Sequence, residues 1–209
     1  MIDPALMQDA INAFTTLFVV IDPVGNAPIF LALTAGASVA QQRKIAFRGV
    51  LVAGLILTLF ALAGDAVLAF VGISMPAFRI AGGLLLFLTA IDMLFEKRTE
   101  RREQRADEPV ADPSVFPLAL PLIAGPGSIT AVILLMHEHD GNLEGQGVVL
   151  GVVALMLLLT LAFLLMAPLL ERVLRRTGTM VITRVLGMLL AALAVQFVLD
   201  GLRGVGALS

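Results

Sequence analysis

The sequence contains no cysteine, no tryptophan and no tyrosine, and only 14% of its 209 residues are charged. The absence of cysteine excludes disulfides, thiol redox chemistry and thiolate metal sites. Without tryptophan and tyrosine, the chain lacks the aromatic belt that many membrane proteins place at the bilayer surface. A typical soluble domain is about 25% charged, so the scarcity of charge argues against that class.

Apolar residues are abundant instead, at 59% of the chain with a mean hydropathy of +0.99. Roughly 20 consecutive apolar residues suffice to cross a bilayer. The sequence therefore predicts an all-α membrane protein with six transmembrane helices, over 11–33, 45–71, 77–95, 116–136, 148–170 and 181–199. The N-terminus carries no positive residues, so we expect no cleavable signal peptide. No basic patch with interleaved aromatics supports a nucleic acid partner.

The basic residues lie in alternate loops. Every Lys and Arg except Arg79 and Arg203 follows the first, third or fifth predicted span. The positive-inside rule places these loops in the cytoplasm and both termini outside the inner (plasma) membrane. The segment 96–112 mixes both signs of charge and is predicted to be a solvated linker. The predicted organisation is a first three-span repeat over 1–95, a cytoplasmic linker over 96–113 and a second three-span repeat over 114–209.

Two three-span halves would have opposite orientations, so a repeat between them must be inverted. RIAGGLL, beginning at Arg79, matches RVLGMLL, beginning at Arg184, and Ser74 and Thr179 precede the two segments as predicted helix N-caps. More loosely, DPVGN in the first span matches GPGS in the fourth. Inverted repeats with interrupted helices are typical of secondary transporters that bind solute at the midplane. The alternative is that small residues and leucines recur in any membrane protein.

The first and fourth spans each contain residues that interrupt helices. Asp22 lies near the middle of the first span, where a charged side chain costs roughly 2.5–3.5 kcal/mol. Pro23 lacks an N–H and Gly25 tolerates unusual backbone angles, so we expect a break over 22–26 and a new helix near Ala27. In the fourth span, breakers cluster over 125–127, and a helix is expected after them. Backbone groups freed by such breaks must pair with protein or ligand, or line a cavity.

These two breaks form the predicted binding site. The first amides of the two restarted helices favour an anion, and Asp22 favours a cation, so a zwitterion fits. The predicted substrate-binding residues are Asp22, Pro23, Gly25, Asn26, Gly125, Gly127, Ser128, Thr130 and Gln196, and the predicted coupling-ion residues are Asp22 and Asp92. Either H+ or Na+ suits them, and no other cofactor is expected. Alternatively, the breaks are structural kinks, and Gln196 serves as a hydrogen-bonding contact between helices.

Enzymatic and metal-binding functions find little support. His137 and His139 are two residues apart, rather than the four typical of a helical zinc pair, so we predict a solvated outer loop there. Ser128 lies about 13 Å along the helix from His137, too far for that histidine to act as its general base. We therefore expect no enzyme activity.

Four segments, LFVVIDPVGNAPIF, FRIAGGLLLFLTAIDML, PLIAGPGSIT and GMLLAALAVQFVLDG, resemble the MarC family of bacterial and archaeal inner-membrane proteins. The resemblance covers essentially the whole chain. It implies six spans and transport of small neutral amino acids such as alanine, glycine or serine. The motif positions that it implies are Asp22, Pro23, Gly25, Asn26, Pro28, Gly125, Pro126, Gly127, Ser128 and Thr130. A channel or passive facilitator is the alternative function, and a homo-oligomer and either direction of transport stay open.

Overall fold

A computed structural model describes residues 4–95 and 112–207, in which every regular element is helical. In chain order the elements are α1 (Pro4–Ile21), α2 (Pro23–Leu33), α3 (Val39–Val71), α4 (Met75–Leu94), α5 (Ser114–Ile123), α6 (Pro126–Glu138), α7 (Leu143–Leu165) and α8 (Ala167–Gly204). Five spans within these residues are long and apolar enough to cross a membrane, and a sixth is added if α5 and α6 count as one bent span. The prediction of an all-α integral membrane protein is confirmed.

The first span is interrupted at a single residue. Asp22 has left-handed backbone angles (φ 52°, ψ 66°), and α2 begins immediately afterwards at Pro23. Proline is well tolerated in the first turn of a helix, where its missing N–H has no intrahelical acceptor. For this reason the break is shorter than the predicted 22–26, and the helix restarts four residues before the expected Ala27.

The fourth span is more irregular than predicted. Phe116 and Leu120 inside α5 have extended backbone angles, and each precedes a proline, which disfavours helical angles at the preceding residue. α5 and α6 are bent by 54° with respect to each other. α6 starts at Pro126, with Gly125 as its N-cap, so the restart also comes earlier than the sequence predicted.

The predicted N-caps have different outcomes. Ser74 caps α4, and its hydroxyl accepts a hydrogen bond from the Ala77 amide at 3.4 Å. Thr179 does not begin a helix, and that prediction is wrong. The backbone leaves helical geometry at Arg175 (φ 52°, ψ 177°), and the sixth apolar span starts at Thr177. Thr179 is therefore already helical, and its hydroxyl donates to the Arg175 carbonyl four residues back at 3.3 Å.

Glycines allow α4 and α8 to pack closely and antiparallel. A Cβ atom built on Gly83 would lie 2.7 Å from the Ala194 carbonyl oxygen, and one on Gly201 would lie 2.9 Å from the Pro76 carbonyl oxygen. At the opposite end, Gly187 packs against the side chain of Met93. The start of α4 thus lies beside the end of α8. Small residues are the usual means of close approach between membrane helices.

The junction between the linker and α5 contacts α3. Residues 96–111 of the predicted linker lie outside the described part of the chain. Asp112, which follows them, pairs with Arg48 at 2.8 Å. The Ser114 hydroxyl, with its amide and the Arg48 guanidinium, holds the pKa of the Asp112 carboxyl below its ordinary value. This contact shows that the start of α5 lies beside α3, in the first half of the chain.

Candidate functional site

Asp22 caps the helix that restarts after it. Its side chain is buried, and Oδ1 accepts a hydrogen bond from the Gly25 amide at 2.9 Å. A Cβ atom on Gly25 would lie 2.2 Å from Asp22 Oδ2, so a larger residue at position 25 would displace the carboxylate. The side chain lies at the positive end of the α2 dipole, where a negative charge is favourable.

Asn26 provides a second side-chain hydrogen bond at the first break, between α2 and the end of α1. Its side chain is fully buried, and Nδ2 donates to the Ile21 carbonyl oxygen at 2.8 Å. That carbonyl belongs to the last residue of α1, where intrahelical donors run out. Two residues later, Pro28 has no N–H to donate to the Val24 carbonyl. The first break is thus a buried, strongly polar point inside an apolar span.

Ser128 plays the corresponding part at the second break. It is buried, and its Oγ lies 2.7 Å from the Ile123 carbonyl oxygen and 3.0 Å from that of Gly125, so its one hydrogen serves both acceptors. Ile123 is the last residue of α5. The approach is tight, because a Cβ atom on Gly125 would lie 2.4 Å from the Pro121 carbonyl oxygen.

The two breaks therefore share one construction. In each, a buried polar side chain reaches back five residues to the carbonyl of the isoleucine that ends the preceding segment: Asn26 to Ile21, and Ser128 to Ile123. A buried carbonyl without a donor costs about 1–3 kcal/mol. The sequence analysis placed both side chains in the site but did not predict these bridges.

The second break lies against the first. A Cβ atom on Gly127 would lie 3.3 Å from Val20, which belongs to the last turn of α1. Thr130, one turn further along α6, is buried against Gly82 of α4. These contacts place the predicted residues of the two breaks on adjoining helix ends in the protein interior.

Gln196 is exposed, whereas Asp92 follows the part of α4 that contacts the second break. Gln196 is exposed on α8, and its Nε2 donates to the Asp200 carboxylate at 2.9 and 3.0 Å, within the same helix. These hydrogen bonds stay within α8 rather than joining two helices. Asp92 lies in the last turn of α4, about 9 Å along that helix from Leu86, which contacts Gly127 at the second break.

The two histidines do not lie in a solvated loop, and that prediction is wrong. His137 belongs to α6 and His139 is its C-cap. His137 Nδ1 lies 3.1 Å from Asp65 of α3, and His139 Nε2 lies 3.1 Å from Asp9 of α1. Their partners are remote in sequence, so local spacing gave no signal of the pairing. Over 4–95 and 112–207, no group of three or more potential metal ligands occurs.

Comparison with known proteins gives consistent results over nearly the whole chain. A family model described as "MarC family integral membrane protein" matches residues 7–206. A UPF0056 membrane protein of Archaeoglobus fulgidus is 42% identical over 91% of this chain and 90% of its own length. The Escherichia coli UPF0056 membrane protein YhcE is 37% identical, over 92% of this chain and 91% of its own length. No solved structure matches significantly.

Proposed function

Since the chain belongs to the MarC family of integral membrane proteins, we propose that it is a secondary transporter of small neutral amino acids or similar small polar solutes. Transport of such solutes is what the resemblance of the sequence motifs implies. The proposal assigns no catalytic reaction to the chain, and it locates the protein in the inner membrane. The solute would bind between the two interrupted spans.

The observation that carries the proposal is the pair of adjoining breaks. Asp22, Asn26 and Ser128 are at most 2% exposed, yet they lie inside apolar spans, where polar groups are costly and usually functional. Each already bonds to backbone of its own break. A zwitterion can replace these bonds, with its carboxylate on backbone amides and its ammonium on Asp22 and carbonyl oxygens.

The helix packing supports two inverted halves. The contacts of α2 with α8 and of α1 with α7 have counterparts in those of α6 with α4 and of α5 with α3. In this comparison, α1 to α4 of the first half correspond in order to α5 to α8 of the second half. This reciprocity is expected if the halves are related by a twofold axis in the membrane plane. Alternating access would then rock one half against the other around the breaks.

The orientation is also part of the proposal. Asp9 near the N-terminus pairs with His139, Arg79 pairs with Glu138, and Pro76 packs against Gly201. These contacts place the first residue of α1 and the last of α8 at one end of the molecule. The basic loops lie at the other end, which the positive-inside rule assigns to the cytoplasm. Both termini would therefore be extracytoplasmic.

An uptake screen in proteoliposomes tests the proposed function. Radiolabelled alanine, glycine, serine and other small polar solutes are offered with and without a pH gradient. We expect uptake of at least one of them and its loss in Asp22→Asn, because the amide carries no charge for the ammonium group. Asp140→Asn is the matched control, since Asp140 is exposed beyond α6. Absence of uptake for every solute, or full uptake by Asp22→Asn, would refute the proposed site.

A further inference from the structure

Three pairs of ionisable side chains meet at the C-terminal end of α6, at the end of the molecule that holds the chain termini. The pairs are His139 with Asp9 of α1 at 3.1 Å, His137 with Asp65 of α3 at 3.1 Å, and Glu138 with Arg79 of α4 at 3.0 Å. In every pair, one partner lies in the first half of the chain and the other in the second. This end of the molecule is therefore closed by bonds between the halves that the proposed transport cycle must separate.

His139 is the most enclosed member of these pairs. Its side chain is 11% exposed, whereas that of His137 is 39% exposed. On the α7 side, a Cβ atom at Gly145 would lie 2.2 Å from the His139 ring, so glycine there leaves room for the imidazole. The ring is thus held between α1, α6 and α7. Contacts between side chains as exposed as those of His137 and Asp65 contribute little to stability.

The hydrogen bonds of His139 require its protonated form. Nε2 faces the Asp9 carboxylate at 3.1 Å, and Nδ1 faces the Leu135 carbonyl oxygen at 2.9 Å. Both partners are acceptors, so both ring nitrogens must donate. A neutral imidazole has one N–H, and only the imidazolium has two. Loss of the proton therefore removes one of the two bonds and the charge attraction to Asp9.

The surrounding charges act in the same direction. Asp9 faces the ring from α1 and Glu138 adjoins it on α6, and both are acidic. From α7, the neighbouring residues Gly145 and Asn142 are uncharged, and Glu144 follows in the same turn. The Leu135 carbonyl and the Asp9 carboxylate, against the opposing effect of burial, raise the pKa of His139 above its ordinary 6.5.

We infer that His139 is a proton-dependent clamp, which ties the two halves together at the extracytoplasmic end and releases them as the external pH rises. The inference rests on the proposed function, because a clamp needs halves that separate. Because the pKa of His139 is higher in the clamped state than in the released state, its stabilisation of the closed contact is fully present below the pKa of the released histidine. This stabilisation is lost as the pH rises through the higher pKa of the clamped histidine.

Distance measurements between spin labels test the clamp without any solute. The chain has no cysteine, so Gln8→Cys on α1 and Leu143→Cys on α7, both exposed positions, give a single label pair across the halves. In nanodiscs, we expect one short distance at about pH 5.5 and an added longer distance at about pH 8.5. Because one proton is released, the ratio of closed to open molecules can fall by at most about tenfold per pH unit.

Three variants assign the effect to a residue. His139→Gln and Asp9→Asn each remove the charge attraction, so the long distance should be present at both pH values. His137→Gln is the matched histidine control and should keep the response of the parent. Circular dichroism and size-exclusion chromatography verify that each variant is folded. A parent distance that does not change with pH, or a response that survives in His139→Gln or is lost in His137→Gln, would overturn the inference.

The outcomes separate this inference from the proposed function. If solute uptake occurs while the distances between the spin labels do not change with pH, only the clamp is refuted. If the distances respond to pH while no solute is taken up in the screen, the clamp stands as a conformational device and the proposed substrate class is refuted.

Discussion

At the scale of single residues, the candidate site depends on side chains that replace missing backbone hydrogen bonds. Asn26 and Ser128 each donate to a carbonyl that ends a helical segment, while Asp22 accepts from the Gly25 amide. In lipid, no water is present to take over these roles. The same polar groups that make the breaks tolerable in the membrane are those that a bound solute could compete for.

Ser128→Ala is expected to destabilise the protein more than removal of an ordinary buried hydroxyl. It leaves the Ile123 carbonyl without its donor, at a cost of about 1–3 kcal/mol, or roughly 2–4 °C in Tm for each kcal/mol in a chain of this size. Thr160→Val is the control, because the Thr160 hydroxyl donates to a carbonyl within regular helix α7. Thermal unfolding in detergent measures both, and an equal Tm for the two variants would contradict the bridging role of Ser128.

At the scale of helices, glycine positions set how closely elements approach the second break. A Cβ atom on Gly82 of α4 would lie 2.1 Å from the Thr130 methyl group of α6, and 3.4 Å from its hydroxyl oxygen. The first distance is a clash and the second is ordinary contact. The methyl group of Thr130 is thus the specific obstacle to a larger residue at position 82.

Gly82→Ala should therefore destabilise the protein by about 1–3 kcal/mol, the usual cost of overpacking. Thr130→Ser removes the obstructing methyl group, so the double variant should recover most of that loss. A double-mutant cycle of thermal unfolding gives the coupling between the two positions. Purely additive effects would mean that α4 and α6 do not meet at this point.

The sequence located both breaks because proline, glycine and a buried acid are strong local signals. It misjudged where the helices restart, since Pro23 and Pro126 are each accepted in a first helical turn. It did not show which way Gln196 points, because a lone amide in an apolar run carries no directional signal. The buried small residues Gly187, Ala194 and Gly201 recur every seven positions on α8, and this stripe places Gln196 on the other face.

Contacts between residues far apart in the sequence could not be predicted from local sequence patterns. The partner of His137 is 72 residues away, and its identity depends on how α3 and α6 pack. The same is true of His139 and Asp9. Charge and spacing alone therefore predicted a solvated loop, whereas the packed helices provide each histidine with a carboxylate.

At the scale of the whole molecule, the proposed orientation can be tested directly. Ala40 and Val205 are exposed and lie at opposite ends of the bundle, since α3 begins at one end and α8 finishes at the other. In intact cells, a membrane-impermeant maleimide should label Val205→Cys and not Ala40→Cys, which should react only after permeabilisation. The cysteine-free parent is the background control. Labelling of Ala40→Cys in intact cells would show the opposite topology and contradict the proposed orientation.

The whole-molecule proposal also distinguishes a carrier from a pore. Two halves that rock around a shared site expose it to one side at a time. A channel, or a passive facilitator without two exclusive gates, would leave a continuous path, so solute on one side would not accelerate movement from the other. The two functions can therefore be distinguished by whether unlabelled solute on one side of the membrane accelerates the movement of labelled solute from the other side.

Counterflow is the most direct test of a solute site between the two breaks. Proteoliposomes are loaded with an unlabelled solute identified in the uptake screen and diluted into a trace of the same solute in radiolabelled form. The proposed function predicts transient accumulation of label above its equilibrium level for the parent and for Asp140→Asn, and none for Asp22→Asn. Label that only approaches equilibrium in the parent, or accumulates equally with Asp22→Asn, would contradict it.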